Sequence, residues 1–310
     1  MNMKHSFKII SLLLCLFFVT QLIGLVVVGK YSPEVKQIVD SEGNVINKTF
    51  YNLPYGMDPP EGVTPASTLV SIIIAIVLAI VVMLILMRYK SEFFLRLWFF
   101  VVVTLALGIT INAFLRGIPY SSLIALIIAL PLAALKLFRR NIIVHNLTEL
   151  FIYPGIAAIF VPLLNIWTAV LLLILISIYD MYAVWHAGFM QKMAQYQIKK
   201  LKFFTGLFVP YMGKKEKDNL EKMKKDKKNE GKGLKVSVAI LGGGDIVFPI
   251  ILAGIVLNSL GLIPALMISI GATAALAFLF YISKKGKFYP AMPFISTGCL
   301  LALAAALLIF

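Results

Sequence analysis

The chain has 310 residues, of which 60% are hydrophobic and only 14% are charged, and its formal net charge is +15. A composition this apolar excludes an ordinary soluble domain and indicates an integral membrane protein. The basic residues cluster at the edges of apolar runs and in one polar segment, where anionic lipid headgroups are the nearer partner. We therefore expect contact with membrane lipids and no nucleic-acid partner.

Apolar runs of about 20 residues are long enough to cross a bilayer as helices. The first run is long and is not followed by a small-residue cleavage site, so we interpret it as a retained helix and not as a signal peptide. The predicted fold class is all-α: a polytopic membrane protein with nine transmembrane helices. Their expected ranges are 8–29, 66–87, 94–114, 118–138, 143–162, 166–187, 236–257, 261–282 and 291–310.

The distribution of lysine and arginine predicts the orientation, because cytosolic loops carry the excess of these residues. Lys136, with Arg139 and Arg140, is counted among the cytosolic loop charges that follow the fourth span. The expected N-terminus is cytosolic, the expected C-terminus is outside, and the expected location is the cell membrane. Of the 29 basic residues, the alternate loops hold only Lys30, Lys36, Lys48 and Arg116.

One polar segment, 188–235, separates the spans into two groups. It divides the chain into an N-terminal part, 1–187, with helices one to six, and a C-terminal part, 236–310, with helices seven to nine. Residues 188–212 mix apolar and basic positions, which predicts a helix lying on the inner membrane surface. The lysine-rich remainder predicts a disordered cytosolic loop.

Three acids fall inside the predicted spans: Glu149, Asp180 and Asp245. An acid at a span centre costs about 2.5–3.5 kcal/mol on insertion scales, so such residues are functional by default. Glu149 has two interpretations, a third catalytic carboxylate or the second half of a capping box begun by Asn146. The neighbouring basic residues 139 and 140 place this turn near the membrane edge and favour the capping box.

Asp180 and Asp245 are predicted to lie at similar depth. Asp180 comes about seven residues before the cytosolic end of span six, which is roughly 10 Å at about 1.5 Å per residue. Asp245 comes about nine residues after the start of span seven, which is roughly 13 Å on the same scale. Because the two spans are antiparallel neighbours, their carboxylates can meet.

Two carboxyls that share one site cannot both ionise comfortably, so one keeps its proton while the other acts as a base. Aspartic proteases use this arrangement to activate water against an amide. The run Gly242-Gly243-Gly244 before Asp245 allows close approach of another backbone and eases local unwinding where an extended substrate must fit. We expect no cofactor and no metal, since the two cysteines lie inside spans and form no ligand pattern.

The motifs Tyr179-Asp180, Gly242-Gly243-Gly244-Asp245 and Pro290-Ala291-Met292-Pro293, in this order and in these spans, resemble the presenilin and signal peptide peptidase family of GxGD intramembrane aspartyl proteases. The closest likeness is to the archaeal presenilin homologues. The resemblance implies that Asp180 and Asp245 are the catalytic pair and that the substrates are transmembrane helices with outside N-termini. It also implies residues that bind substrate or shape the site: Tyr179, Gly242, Gly243, Gly244, Pro290, Ala291 and Met292, the last standing where the family has leucine.

Other classes of protein remain compatible with two intramembrane aspartates. A proton-coupled transporter or cation channel would use them to relay protons or coordinate ions. A prepilin-peptidase-like enzyme also carries a GxGD aspartate, and a purely structural role would pair the two helices. None of these requires the Pro-Ala-Met element. The sequence leaves open the natural substrate, self-cleavage of the 188–235 loop, accessory subunits and a homo-oligomer.

Overall fold

The computed structural model describes residues 7–39, 45–60, 64–89, 91–139, 141–187, 205–211, 237–283 and 289–310. Within these ranges nine helices are long and apolar enough to cross a membrane, which confirms the predicted fold class. The helices are α1 (Phe7–Lys30), α2 (Pro65–Arg88), α3 (Glu92–Phe114), α4 (Ser121–Phe138), α5 (Ile142–Phe160), α6 (Ile166–Tyr182), α7 (Gly243–Leu260), α8 (Leu262–Ile282) and α9 (Met292–Ile309). The strands are β1 (Glu34–Val39), β2 (Val45–Phe50), β3 (Gly206–Tyr211) and β4 (Ser237–Gly242).

The seventh span begins later than the sequence predicts. Residues Ser237–Gly242, which we expected to open the helix, form strand β4, and α7 starts at Gly243. Strand β4 pairs with β3 in an antiparallel hairpin, so the predicted surface helix is wrong for residues 206–211. Apart from residue 205, the other residues of 188–235 lie outside the described ranges. The sequence does not show the strand because residues 238–241 are all apolar; the alternation appears only in the fold, where Ala239 and Leu241 are buried while Ile240 is exposed.

Helix α7, which carries Asp245, is the most enclosed of the nine spans found in the described ranges. Within an 18-residue apolar stretch of α7, 56% of the residues are buried inside the protein, whereas the corresponding value for α2 is 11%. Helices α1, α5, α6, α8 and α9 all pack against α7. The aspartate on α7 is therefore held by the centre of the bundle, whereas α2 lies at its rim.

Small residues allow some helices to cross at very short distance. A Cβ added to Gly155 of α5 would collide with the backbone carbonyl of Ala106 in α3. Gly271 of α8 and Gly298 of α9 likewise face each other across a backbone-to-backbone contact. Membrane helices associate largely by such close packing, because lipid tails are as apolar as the side chains.

Two tyrosines join the segment after α1 to helices α3 and α4. Tyr31 Oη donates a hydrogen bond to the Ile109 carbonyl over 2.8 Å and accepts one from Asn112 Nδ2 over 2.9 Å. Tyr55 Oη donates to the Ser122 carbonyl over 2.8 Å. Burial raises the pKa of Tyr31 from 10.0 to about 12, so its hydroxyl stays protonated at neutral pH.

Candidate active site

Asp180 lies in the last turn of α6 and is 6% exposed. Its Oδ2 accepts a hydrogen bond from the backbone N–H of Met292 over 3.1 Å. The backbone of Ala291 also hydrogen-bonds to this carboxylate. After Tyr182 the chain continues as one π-helical turn, Ala183–Ala187. The carboxylate therefore ties the end of α6 to the beginning of α9.

The Pro-Ala-Met element contributes backbone groups to the site. Pro290 and Met292 are buried, and α9 begins at Met292. The first N–H groups of a helix have no partner within the helix, and its N-terminus favours a negative charge. Asp180 satisfies these groups from another helix, so the carboxylate and the start of α9 stabilise each other.

A second contact between α6 and α9 lies one turn away from the first. Ser177 Oγ and Ser296 Oγ are hydrogen-bonded over 2.8 Å, and both side chains are buried. Ser177 is within 2.7 Å of the Leu173 carbonyl, which gives the hydroxyl pair a further acceptor. The two contacts together fix α9 against the helical turn that carries Asp180.

Asp245 lies in the first turn of α7, directly after strand β4. The expectation that it lies nine residues inside the span is wrong, because β4 supplies the residues that were assigned to the helix. Its carboxylate is hydrogen-bonded to the backbone of Gly242 and interacts electrostatically with Asp180. Both aspartates thus occupy terminal turns of consecutive spans, where helix ends and not apolar helix centres surround them.

The three glycines before Asp245 have three different environments. A Cβ at Gly242 would lie 3.1 Å from Asp245 Oδ2, so this glycine lets the carboxylate fold back on the strand end. A Cβ at Gly243 would lie 2.8 Å from both Cε1 and Oη of Tyr153. Gly244 is exposed, and a Cβ there would touch only the Phe248 ring, at 3.6 Å. Of the three, Gly244 therefore presents an open side.

Residues 55–310 match the family model described as signal-peptide peptidase, presenilin aspartyl protease. The chain belongs to this family. It is therefore an enzyme, a presenilin-type intramembrane aspartyl protease, and the nine apolar helices within its described residues make it a multi-pass membrane protein.

Two solved structures, both described as a presenilin family intramembrane aspartate protease, resemble the protease in fold. The one in space group C222 has a TM-score of 0.60 and 18% sequence identity, covering 97% of this chain and 99% of that chain. The one in space group P2 also has a TM-score of 0.60 and 18% identity, covering 96% of this chain and 97% of that chain. No relative was found among curated protein sequences.

Glu149 of the protease is the acid of a buried ion pair. Its carboxylate contacts Lys136 Nζ, and both side chains are 1% exposed. The predicted capping box of Asn146 and Glu149 is wrong, because α5 begins at Ile142 and is capped by Asn141, whose Oδ1 accepts from the Ile143 N–H over 2.9 Å. Lys136 is likewise a buried partner within α4 and not a loop charge.

His145 and Asn146 connect this ion pair to the hairpin. His145 Nδ1 lies 3.4 Å from Lys136 Nζ, and its Nε2 lies 2.8 Å from the Gly206 carbonyl. A lysine can only donate, so this pattern assigns the ring hydrogen to Nε2, which donates to Gly206. Asn146 bonds both the N–H and the carbonyl of Phe208, at 3.1 and 2.8 Å. These contacts hold β3, and through it β4, in front of Asp245.

Sequence reasoning missed two further polar side chains beside α7. Gln21 of α1 is fully buried and donates from Nε2 to the Ile246 carbonyl over 3.1 Å, next to Asp245. Tyr153 lies one turn after Glu149 on the same face of α5 and packs on Gly243. A polar residue within an apolar run was the available signal for both.

A large surface groove of the described residues is separate from this site. In the described part of the chain no group of three or more His, Cys, Asp or Glu side chains could hold a metal ion. A groove of about 880 Å³ between α8 and α9 is lined by residues that include Pro293 but neither aspartate. It follows the Gly271–Gly298 crossing.

Proposed function

We propose that the protease hydrolyses peptide bonds of transmembrane helical substrates in the cell membrane, with Asp180 and Asp245 as its catalytic pair. The support comes from the electrostatic interaction of the two carboxylates beside the first turn of α9, where the Pro-Ala-Met backbone holds Asp180. A catalytic pair of this kind would use all three sequence motifs at one site. A transporter would have no need for such an arrangement.

The chemistry follows from one protonated and one ionised carboxyl. The carboxylate takes a proton from a water molecule while the water oxygen bonds to the carbonyl carbon of the substrate. The protonated partner hydrogen-bonds to the carbonyl oxygen as negative charge develops there. When the tetrahedral intermediate collapses, the C–N bond breaks and the leaving nitrogen receives a proton from a carboxyl group. The products are a carboxylic acid and an amine.

The other residues of the motifs shape this site in the proposal. Tyr179 precedes Asp180 and its side chain is half-buried beside it. Pro290, Ala291 and Met292 present the backbone donors for Asp180. Gly244, with its open side next to Asp245, gives room for an extended substrate segment.

The lysine-rich segment between α6 and α7 faces the cytosol in this proposal, in accordance with the charge pattern of the loops. The aspartates then lie toward the cytosolic side, because they occupy the end of α6 and the start of α7. Substrate helices with outside N-termini would be cut after unwinding near that side. Exposed apolar side chains on the bundle, such as Val77 and Leu78 of α2, contact lipid.

The experiment is cleavage of a synthetic single-span peptide by the purified protein in liposomes, followed by mass spectrometry. Asp180→Asn and Asp245→Asn keep the side-chain shape and remove the acid, so each is expected to reduce cleavage to background. Asp58→Asn is the matched control, since Asp58 accepts a hydrogen bond from the Leu53 N–H outside the spans. Cleavage at the wild-type rate by either of the first two variants would refute the pair.

A further inference from the structure

Tyr153 carries a buried hydroxyl that makes no hydrogen bond of good geometry among the described residues, although the carboxylate of Glu149 is near enough to interact with it as an acceptor. The side chain is 3% exposed, so water does not compensate for the missing partner. An unpaired buried hydroxyl is unfavourable, and phenylalanine would fill the same space without that cost. A tyrosine at this position therefore points to an acceptor that Oη meets in another state of the enzyme.

The ring of Tyr153 is fixed directly behind the glycines of the active site. Its Cε1 and Oη both lie within 2.8 Å of the point where a Cβ on Gly243 would be, two residues before Asp245. The carboxylates of Glu149 and Asp245 both interact electrostatically with Tyr153, and Glu149 is in addition a side-chain hydrogen-bond acceptor for it, of poor geometry. The hydroxyl thus lies between the carboxylate of the buried ion pair and the carboxylate of the active site.

Of these two acceptors, Asp245 is the less occupied. Glu149 Oε1 pairs with Lys136 and also lies 3.4 Å from His145 Nε2. The carboxylate of Asp245 is hydrogen-bonded to the Gly242 backbone, while an ionised carboxylate has about four acceptor positions. Asp245 therefore has acceptor positions left for a hydrogen bond from Oη, and such a bond would not require the ion pair to break.

We propose that Tyr153 is a positioning residue for Asp245: in the substrate-bound state its hydroxyl donates a hydrogen bond to that carboxylate and orients it toward Asp180. This inference rests on the proposed function of the two aspartates and adds a residue from α5 to their site. Lys136, Glu149 and His145 hold α5 and the ring from behind. No proton leaves Tyr153 in this role, so it acts through Asp245 and not on the substrate.

The test compares Tyr153→Phe with wild-type protein in the liposome cleavage assay and in thermal unfolding. The expected result is a kcat at least about tenfold lower, because a misplaced reacting group is costly, with KM within about twofold. The unfolding temperature is expected not to fall, since the variant removes no hydrogen bond of good geometry. Tyr31→Phe is the matched control, because it removes two existing hydrogen bonds far from the aspartates. It should lower the unfolding temperature and leave kcat unchanged.

Each other outcome overturns the inference. Wild-type kcat in Tyr153→Phe excludes a role in orienting Asp245. A lower unfolding temperature, or failure to fold, shows that the hydroxyl has a structural acceptor such as Glu149. Asp180→Asn is measured in the same series, so that failure of the catalytic pair can be distinguished from failure of the role proposed for Tyr153. If wild-type protein does not cleave, or Asp180→Asn does, the catalytic pair itself fails; if only Tyr153→Phe behaves as wild type, the pair stands and this inference falls alone.

Discussion

The backbone N–H of Met292 donates a hydrogen bond to Oδ2 of Asp180 over 3.1 Å, which joins the last turn of α6 to the first turn of α9. The bond uses the backbone of residue 292, so any residue that preserves the local backbone can supply it. The buried side chain has a separate task, packing α9 against its neighbours. Methionine can therefore stand where the family has leucine without loss of the bond to Asp180.

The first prediction concerns this packing. Met292→Leu is nearly volume-conserving, so the free energy of unfolding should change by less than about 1.5 kcal/mol. Peptide cleavage should stay within about threefold of wild type, which is less than about 1 kcal/mol of barrier. Met292→Ala leaves a cavity and should lower the free energy of unfolding by about 2–5 kcal/mol. Equal stability of the two variants would show that the side chain does not pack as described.

The second prediction separates two adjacent glycines by substitution with alanine. Gly243→Ala places a methyl group against the buried ring of Tyr153 and should lower the free energy of unfolding by about 1–3 kcal/mol. Gly244→Ala meets only the Phe248 ring at 3.6 Å and should leave stability unchanged or raise it by up to about 1 kcal/mol. Cleavage should fall in both variants, in the second because the methyl group narrows the space beside Asp245.

Thermal unfolding and the cleavage assay, performed on the same preparations of the two glycine variants, check this prediction. The informative variant is Gly244→Ala, since loss of activity in a fully stable protein indicates a steric effect on substrate. Full activity in that variant would mean that the substrate does not approach Asp245 from the side of Gly244.

The helices could be predicted because a membrane span needs a long apolar run, and such runs are visible without any partner. Strand β4 could not, since a short apolar run has no unique period and its partner β3 comes from a distant segment. That error moved Asp245 from the first turn of α7 to the middle of a span. The predicted pairing with Asp180 does not depend on that error, because Asp180 also lies at a helix end, in the last turn of α6.

The aspartates stood out from sequence because an ionisable residue in an apolar run is costly. Lys136 did not, since it lies three residues before Arg139 and was counted with that loop charge. Tyr153 was only a weak signal, because tyrosine rings are common at membrane interfaces. Their roles depend on contacts between α4, α5 and α7, and these are properties of tertiary packing.

The third prediction uses the titration of Tyr31. Its pKa is raised by burial from 10.0 to about 12, so the protonated hydroxyl stabilises the fold below pH 10 and this stabilisation is lost as the pH rises toward 12. The loss should amount to about 1–2 kcal/mol, because solvent at the end of α1 screens part of the effect. Tyr31→Phe has no group that titrates at this position. The amount by which the variant is less stable than wild type should therefore be smaller at pH 11 than at pH 8.

Thermal unfolding between pH 8 and pH 11 checks this difference. Tyr89→Phe serves as the control, since Tyr89 is 78% exposed. Parallel curves for wild type and Tyr31→Phe would contradict a buried titrating hydroxyl at this position.

The fourth prediction concerns the ion pair of Lys136 and Glu149. Removing one partner leaves an uncompensated buried charge, so Lys136→Met should lower the free energy of unfolding by about 3–5 kcal/mol. The double variant Lys136→Met/Glu149→Leu removes both charges and should recover most of that loss, because apolar residues of similar size replace a buried pair at little net cost. Arg88→Met, which removes an exposed basic residue at the end of α2, is the matched control and should change stability by less than about 0.5 kcal/mol.

The two readouts of the double variant distinguish stability from function. If the pair serves only to hold α4 against α5, the double variant should both unfold and cleave like wild type. If the pair also orients Tyr153 behind Gly243, the stable double variant should have a reduced kcat. A double variant no more stable than Lys136→Met would show that the two charges do not compensate each other. We expect the double variant to regain stability but not kcat, because Glu149 and Tyr153 lie one turn apart on the same face of α5.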